Sequence, residues 1–378
     1  MRRSMPHRIW VGLVPTLLLA ACGHDLFEGT QRTIEVDDVE ELYAAVADAD
    51  HEGFVIQLAQ GRYVLTARAP DQSERPHGGM LRLRTGMKLV GAERRRDGDG
   101  DGIPDHLGAG PNPVFAEAGT ETVIDGYQIS PPVLPVPDCS GTGPSFADPV
   151  VQLAPNTALR GLTILGGPNL AVGEGAEQYR PGTSLETVVE STVIQGGPLV
   201  MTFGNTGCSA RSQQSTLTVT GSVFYGASGV ALSVVNYQTG GGAGGAPKVT
   251  ATIRESLFFG NGTGLAIRGG SSGTRNGVAT VYVDDTRFDD NGSHLLVMGG
   301  FGNSTTIATA GNQANVVVTD AYFGRYTGSR GIQIYGGATP TGIAGTDRKH
   351  GQCEPALAAA REGTRRHGGD LGHRSRRR

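Results

Sequence analysis

The chain is poor in aromatic side chains and in cysteine, and it lacks several common catalytic motifs. Aromatic residues make up 6% of the 378 residues, with a single tryptophan, and there are four cysteines. No cysteine and histidine residues have the spacing of a zinc site. The sequence also has no phosphate-binding P-loop and no nucleophile elbow. These absences argue against a zinc protein, a P-loop nucleotide enzyme and an α/β-hydrolase.

Glycine is abundant, by contrast, and the body of the chain is acidic. The 60 glycines follow no collagen period and separate alternating apolar runs, so they indicate turns and bulges. Residues 22–344 contain 20 basic and 32 acidic residues, which gives a net charge of −12. Such an acidic body argues against nucleic acid as a partner.

A short phrase recurs along the second half of the chain. Each copy follows an alternating apolar run and ends in an apolar anchor residue. The copies are residues 161–164, 190–193, 221–224, 255–258, 285–288 and 320–323. The later copies lead through a turn with glycine or asparagine into a second apolar run. Anchor spacings of 29, 31, 34, 30 and 35 residues, with strands in every unit, predict a β-solenoid.

Two columns of stacked side chains are expected from this repeat. The four phenylalanine anchors are predicted to form an aromatic ladder in the core, because successive coils lie about 4.8 Å apart. Asn261 and Asn291 occupy the same place after successive phrases, where a tight turn tolerates asparagine and its amide can bond to the next coil. Both columns are interpreted as structural.

The amino terminus has the features of a secretion signal. Arginines precede an apolar run at residues 9–21 that is too short for a mature transmembrane helix. The run ends in Leu-Ala-Ala-Cys22, which resembles the lipobox of bacterial lipoproteins. The resemblance implies cleavage after residues 1–21, acylation of Cys22 with palmitate among its chains, and a tether over residues 22–31. The lipid bilayer is then a partner, and Gly23 favours the outer membrane. An ordinary signal peptide with a chance cysteine is the alternative.

Cysteine usage agrees with a compartment outside the cytoplasm. Cys139 and Cys208 lie in loops rich in proline, glycine and serine, so a Cys139–Cys208 disulfide is the simplest expectation there. Two free buried thiols are the alternative. Cys353 falls in a basic segment, residues 345–378, where the strand pattern stops. We expect this tail to be disordered, and a reading-frame change near Asp347 is another explanation.

The beginning of the mature chain resembles the pectate-lyase-like right-handed parallel β-helices. Residues 37–46 have the amphipathic pattern of a helix with an acidic start, and coil phrases follow at residues 54–58, 61–65 and 88–91. In that superfamily a helix caps the first coil, whose strand would otherwise be an exposed edge. The resemblance implies an all-β fold over residues 32–344, a right-handed parallel β-helix with a short N-terminal α-helical cap.

An acidic loop interrupts the early coils. Its candidate metal ligands are Asp97, Asp99, Asp101 and Asp105. With Gly102 at the sixth position, this spacing matches the front of a calcium loop. It resembles the loops of thrombospondin type 3 repeats, except that Gly108 replaces the acid expected at position 12. We expect residues 97–108 to bind Ca²⁺ in a structural role. A solvated acidic turn is the alternative.

Carboxylates lie three residues before the last three anchors. These are Glu255, Asp285 and Asp320, and Arg287 lies beside them. In the expected register the three acids stack about 5 Å apart, close enough to perturb one another's pKa and act as an acid/base pair. The resemblance to lyases of this fold implies that an arginine could act as base or clamp. A hydrated row of surface charges is the alternative.

No catalytic residue can be carried over from a named family. The polygalacturonase phrases Asn-Thr-Asp, Gly-His-Gly and Arg-Ile-Lys are absent, and so is the pectate lyase phrase Trp-Ile-Asp-His. Variable polar loops at residues 237–246, 269–276 and 299–313 project from one face and would suit sugar hydroxyls. The sequence therefore predicts a monomeric, surface-anchored, non-catalytic protein that engages a glycan or serves a structural role. A polysaccharide lyase or glycoside hydrolase acting on an acidic polysaccharide is the alternative.

Overall fold

The computed structural model describes residues 32–106, 113–129, 149–174, 184–206, 214–237, 247–270, 276–299 and 311–335. These residues form 25 strands, one α-helix, α1 (Val39–Ala47), and two 3-10 segments, Ala49–His51 and Pro76–Gly79.

The strands, numbered along the chain, are short and regularly spaced. The first thirteen are β1 (Thr33–Val36), β2 (Val55–Leu58), β3 (Gly61–Thr66), β4 (Leu81–Arg82), β5 (Lys88–Val90), β6 (Thr122–Gln128), β7 (Val151–Leu153), β8 (Thr157–Arg160), β9 (Thr163–Leu165), β10 (Val172–Glu174), β11 (Leu185–Glu190), β12 (Val193–Gln195) and β13 (Leu199–Thr206). The others are β14 (Gln214–Thr220), β15 (Val223–Tyr225), β16 (Val230–Tyr237), β17 (Lys248–Arg254), β18 (Leu257–Phe259), β19 (Thr263–Arg268), β20 (Val278–Asp284), β21 (Arg287–Asp289), β22 (Ser293–Met298), β23 (Gln313–Thr319), β24 (Tyr322–Phe323) and β25 (Ile332–Tyr335).

The strands form three sheets that run the length of the molecule. Sheet 1 has the order β1-β2-β5-β8-β11-β14-β17-β20-β23, sheet 2 has β3-β6-β9-β12-β15-β18-β21-β24, and sheet 3 has β4-β7-β10-β13-β16-β19-β22-β25. Neighbouring strands pair in parallel, and from β2 onward each coil passes through the three sheets in turn. The fold is therefore the predicted right-handed parallel β-helix.

The core consists of columns of inward side chains at equivalent positions of successive coils. The phenylalanine anchors are buried down to Phe288, and Phe258 stacks on both neighbouring rings at centroid distances of 4.8 Å. Phe323 stacks on Phe288 at 5.1 Å. The predicted aromatic ladder is confirmed.

Helix α1 packs against the first coils, as predicted for a cap. Asp38 accepts a hydrogen bond from the Glu41 N–H at 2.9 Å, which satisfies a free donor of the first turn. Leu42, Ala45 and Val46 are buried in the main core. The first coils are thereby covered by an element that cannot extend the sheets.

One anchor in the sequence interpretation is wrong by one residue. Ile194, and not Val193, pairs with Phe224, so the first two spacings are 30 residues each. The residue equivalent to Gly221 is therefore Ser191 rather than Glu190. Both Val193 and Ile194 are buried, so the apolar pattern alone does not show which of the two residues is the anchor.

The corner between sheets 2 and 3 contains the predicted asparagine ladder. Asn261 Nδ2 donates to Asn291 Oδ1 at 2.9 Å and to the Phe224 carbonyl at 2.9 Å. Both asparagines are at most 3% exposed. Their amides satisfy buried main-chain groups that the corner leaves unpaired.

Several predictions concern residues outside the described ranges. These are the cysteines Cys22, Cys139, Cys208 and Cys353, the residue Gly108, and most of the variable loops. In the described part of the chain, no helix has the length and apolar character needed to cross a membrane.

Candidate functional site

The corner between sheets 1 and 2, here called the first corner, holds the predicted acidic row. Glu255, Asp285 and Asp320 each follow the turn out of a sheet 1 strand and have φ of 47°, 41° and 47°. Ser191 and Gly221 have the same left-handed backbone, with φ of 46° and 56°. The structure shows that this corner requires residues able to adopt positive φ.

A buried hydroxyl follows four of these five corner residues, and Ala321 follows the fifth, Asp320. The Oγ of Ser222 donates to the Thr220 carbonyl at 2.9 Å, and the Oγ1 of Thr286 donates to the Asp284 carbonyl at 2.8 Å. Ser256 makes the same bond to Arg254 at 2.6 Å. The Ser/Thr position of the repeated phrase thus closes the corner, and the acid before it faces outward.

A long insertion leaves the first corner between β5 and β6 and packs along later coils. Gly91, at its start, is followed by residues that reach the outward face of sheet 2. There Phe115 packs with Val193, Val223 and Leu257 in a separate apolar cluster. The His106 ring lies 4.5 Å from the Phe259 ring. The insertion is therefore held on the β-helix by apolar contacts.

A buried ion pair also holds the insertion on the β-helix. Glu93 and Arg95 are paired, with side chains only 2% and 6% exposed. Arg95 Nη2 donates to the Leu162 carbonyl and Nε to the Ser191 carbonyl, each at 3.1 Å. Glu93 accepts from Thr163 Oγ1 at 2.8 Å. Burial raises the pKa of Glu93, although Arg95 and Thr163 oppose that shift. Neither residue was singled out by the sequence.

The acidic loop brings three of its four candidate ligands together. Carboxylate oxygens of Asp97, Asp99 and Asp101, all exposed, lie within 4.8 Å of one another. Burial raises the pKa of Asp101, and repulsion from the other aspartates adds to the rise. Asp105 Oδ2 instead accepts from the Gly98 N–H at 2.8 Å, and so it closes the loop.

A groove of about 390 Å³ lies between the insertion and the first corner. The insertion contributes Asp97, Gly102 and Pro104, and the corner contributes Ser191 and Glu255. Its remaining lining residues are Gly91, Glu93, Arg94, Arg95, Arg160, Gly161, Glu190, Thr220 and Gly221. Across the groove wall, Arg160 Nη2 lies 3.5 Å from Glu190 Oε1. The lining is polar and carries both signs of charge.

A smaller cavity of about 30 Å³ lies further along the insertion. Here Arg287 and Asp289 of β21 face the acidic loop, including Asp105. Arg287 Nη2 donates to Asp289 Oδ2 at 2.9 Å. Burial alone would raise the pKa of Asp289, but hydrogen bonds from Arg287 and the Arg325 N–H lower it overall.

The structure thus connects the two sets of candidate residues that the sequence left separate. Glu255 shares the groove with Asp97, and Arg287 shares the smaller cavity with Asp99 and Asp101. Asp285 and Asp320 line neither of these two cavities. They continue the first corner beyond the groove, one coil apart in register, as the pairing of Phe288 with Phe323 shows.

The topology is that of a right-handed parallel β-helix. Two solved structures that resemble the chain are A-modules of Azotobacter vinelandii mannuronan C-5 epimerases. The AlgE4 A-module is 15% identical, with 81% of this chain and 100% of the module covered and a TM-score of 0.25. The AlgE6 A-module is 14% identical, with 83% and 100% covered and a TM-score of 0.27. No protein-family model and no curated protein matches the sequence.

Proposed function

We propose that the protein is a non-catalytic glycan-binding β-helix and that the groove is its binding site. The observation that carries this proposal is the mixed polar lining, which offers guanidinium donors and carboxylate acceptors side by side. A sugar hydroxyl is both donor and acceptor, so such a lining can satisfy it in either role. Main chain at Gly161 and Gly221 also borders the groove, where a ligand can approach closely.

The arrangement of the acids favours binding over catalysis. Of the predicted catalytic candidates, only Glu255 lines the groove. Glu190, a partly buried acid on the corner side of the groove, is paired with Arg160. An acid/base mechanism needs two carboxyl groups placed on either side of one bond, and the acidic row continues away from the groove instead.

We propose that Ca²⁺ binds the acidic loop in a structural role. Three clustered carboxylates repel one another, and a hard cation with oxygen ligands relieves that repulsion. Since Asp97 is both a ligand candidate and part of the groove lining, the cation would fix one wall of the groove.

We propose that the chain is a lipoprotein held through an acylated Cys22 at the outer membrane. The support is the lipobox-like sequence, since several acyl chains gain about 0.8 kcal/mol per buried methylene. Palmitate labelling of the wild type and of Cys22→Ala tests this. Label in the wild type alone is expected, and label in neither protein would overturn it.

A polysaccharide lyase or hydrolase remains the second candidate, because Glu255 and Asp285 occupy the same corner position in adjacent coils. Two assays separate the candidates. A glycan array should show ligands for the binding protein, and a blank array would reject it. Product formation on uronate polymers, measured by reducing ends and ultraviolet absorbance and lost in Asp285→Gly, would favour the enzyme.

A further inference from the structure

A single histidine lies buried where the penultimate and last described coils meet. His294, in β22, is 1% exposed. Its ring lies 5.8 Å from that of Phe323 and 6.0 Å from that of Tyr326, both in the last described coil. Its Nε2 is 3.1 Å from the Gly324 carbonyl oxygen. A side chain of the penultimate coil thus contacts the last one at three places.

The asparagine ladder determines which nitrogen of His294 carries the proton. The Asn261 N–H donates to Asn291 Oδ1 at 3.0 Å, which fixes Asn291 with its oxygen towards Asn261. Asn291 Nδ2 therefore donates, both to the Phe258 carbonyl at 2.9 Å and to His294 Nδ1 at 3.3 Å. His294 Nδ1 must accept, so the proton lies on Nε2 and is donated to Gly324.

We propose that His294 is an acid-sensitive latch that holds the last described coil, residues 320–335, on the coil before it. A second proton would lie on Nδ1 and would point at the Asn291 Nδ2 donor. Flipping the Asn291 side-chain amide would not remove this clash of two donors. Its Oδ1 would no longer accept from the Asn261 N–H, and its Nδ2 would no longer donate to the Phe258 carbonyl. Protonation must therefore break either the ladder or the contact that holds Gly324.

The charged surroundings of His294 do not offset the cost of burying a protonated imidazole. Burial lowers the pKa of His294 from 6.5, and the Gly324 hydrogen bond and the charge of Asp289 only partly oppose this. The Asp289 carboxylate is itself bound by Arg287 and by the Arg325 N–H. The remaining titratable neighbour is Tyr326, whose ring packs edge-on.

The sign of the pH effect follows from this lowered pKa. Below a pH of about 6.5, His294 takes up a proton more readily in the unfolded coil than in the folded one. The stabilisation from the latch is therefore complete at neutral pH and above, and it is lost as the pH falls through the lowered folded pKa. Opening would also displace Asp320 at the end of the acidic row.

Hydrogen exchange of the full chain at pH 7.5 and pH 5.0 tests the latch. The amides to follow are Tyr322, Gly324 and Thr327, which donate to carbonyls of the previous coil. After correction for intrinsic exchange rates, the protection factors of these amides should be at least tenfold lower at pH 5.0 than at pH 7.5. His294→Gln retains an acceptor and a donor but cannot be protonated, so its protection should not change with pH. His51→Gln, near α1, should respond like the wild type.

Two results would overturn the latch. One is protection of the last coil that is equal at both pH values in the wild type, and the other is an equal acid-induced loss in His294→Gln. If His294→Gln does not fold, nitrogen-15 NMR of the wild-type imidazole decides the matter. The latch requires the Nε2–H tautomer and a midpoint below 6.5, and an Nδ1–H tautomer or a higher midpoint would exclude it.

Discussion

Gly102 of the acidic loop lies directly against Glu255 of the first corner. A Cβ built on Gly102 would be 3.2 Å from the Glu255 Cγ, although the two residues are far apart in the sequence. This contact joins the candidate calcium loop to the acidic row, and both residues line the groove. The two features are therefore parts of one site.

The acidic loop should bind Ca²⁺ through its clustered carboxylates. Asp99→Asn removes one charge. The Asp99 carboxylate accepts only a long hydrogen bond from the Asp101 N–H, at 3.4 Å, so the loop should keep its shape. We expect the calcium affinity to fall at least tenfold in titration calorimetry. Glu52→Gln, an exposed acid elsewhere, should leave the affinity unchanged. Equal affinity in Asp99→Asn would exclude these ligands.

The first corner should accept glycine more readily than alanine. Asp285 has a φ of 41°, and a left-handed residue with a Cβ costs about 1–2 kcal/mol. We therefore expect Asp285→Gly to have a free energy of unfolding about 1 kcal/mol above that of Asp285→Ala in denaturant titrations. An Asp285→Ala variant as stable as the glycine one would show that the corner is not strained.

The asparagine ladder should contribute measurably to stability. Asn261→Ala leaves the Phe224 carbonyl and the Ala227 N–H buried without their side-chain partner. Each such group costs about 1–3 kcal/mol, so a loss of roughly 3 kcal/mol in the free energy of unfolding is expected. Asn315→Ala, on the exposed face of sheet 1, should change it by about 0.5 kcal/mol or less. Equal effects of the two variants would contradict the ladder's role.

Removal of Arg95 should release the insertion. Arg95→Met leaves the Glu93 carboxylate buried and uncompensated, which costs about 3–5 kcal/mol. Hydrogen exchange in residues 92–106 should rise, whereas the strands of sheet 3 should stay protected. The double variant Glu93→Gln with Arg95→Met should recover part of the stability, because no buried charge is then unpaired. Unchanged exchange in Arg95→Met would show that the apolar cluster alone holds the insertion.

The β-helix could be predicted because its signals are local and periodic. Phe258 and Phe288 repeat at a fixed spacing, Asn261 and Asn291 follow them at a fixed distance, and α1 has its own amphipathic pattern. The register failed at Val193, where two neighbouring apolar residues fit the pattern equally well. Periodicity gives the spacing of coils but does not choose between adjacent apolar residues.

The candidate site could be predicted only in pieces. The spacing of the aspartates identified the acidic loop, and the repeat identified Glu255. Their proximity depends on how the insertion packs, and one contact there is made by Arg95, which donates to main-chain carbonyls of Leu162 and Ser191, 67 and 96 residues away. A contact between a side chain and distant carbonyls leaves no pattern in the sequence, so the groove is visible only in the folded chain.

Calorimetric titration of an array-selected glycan into three proteins tests the central proposal most directly. Thr220 lines the groove, so Thr220→Trp should fill it, whereas Thr252→Trp places the same side chain on the outward face of sheet 1 in the next coil. We predict that the glycan affinity of Thr220→Trp is at least tenfold lower than that of the wild type, and that the affinity of Thr252→Trp is unchanged. Equal binding by all three proteins would show that the groove is not the glycan site.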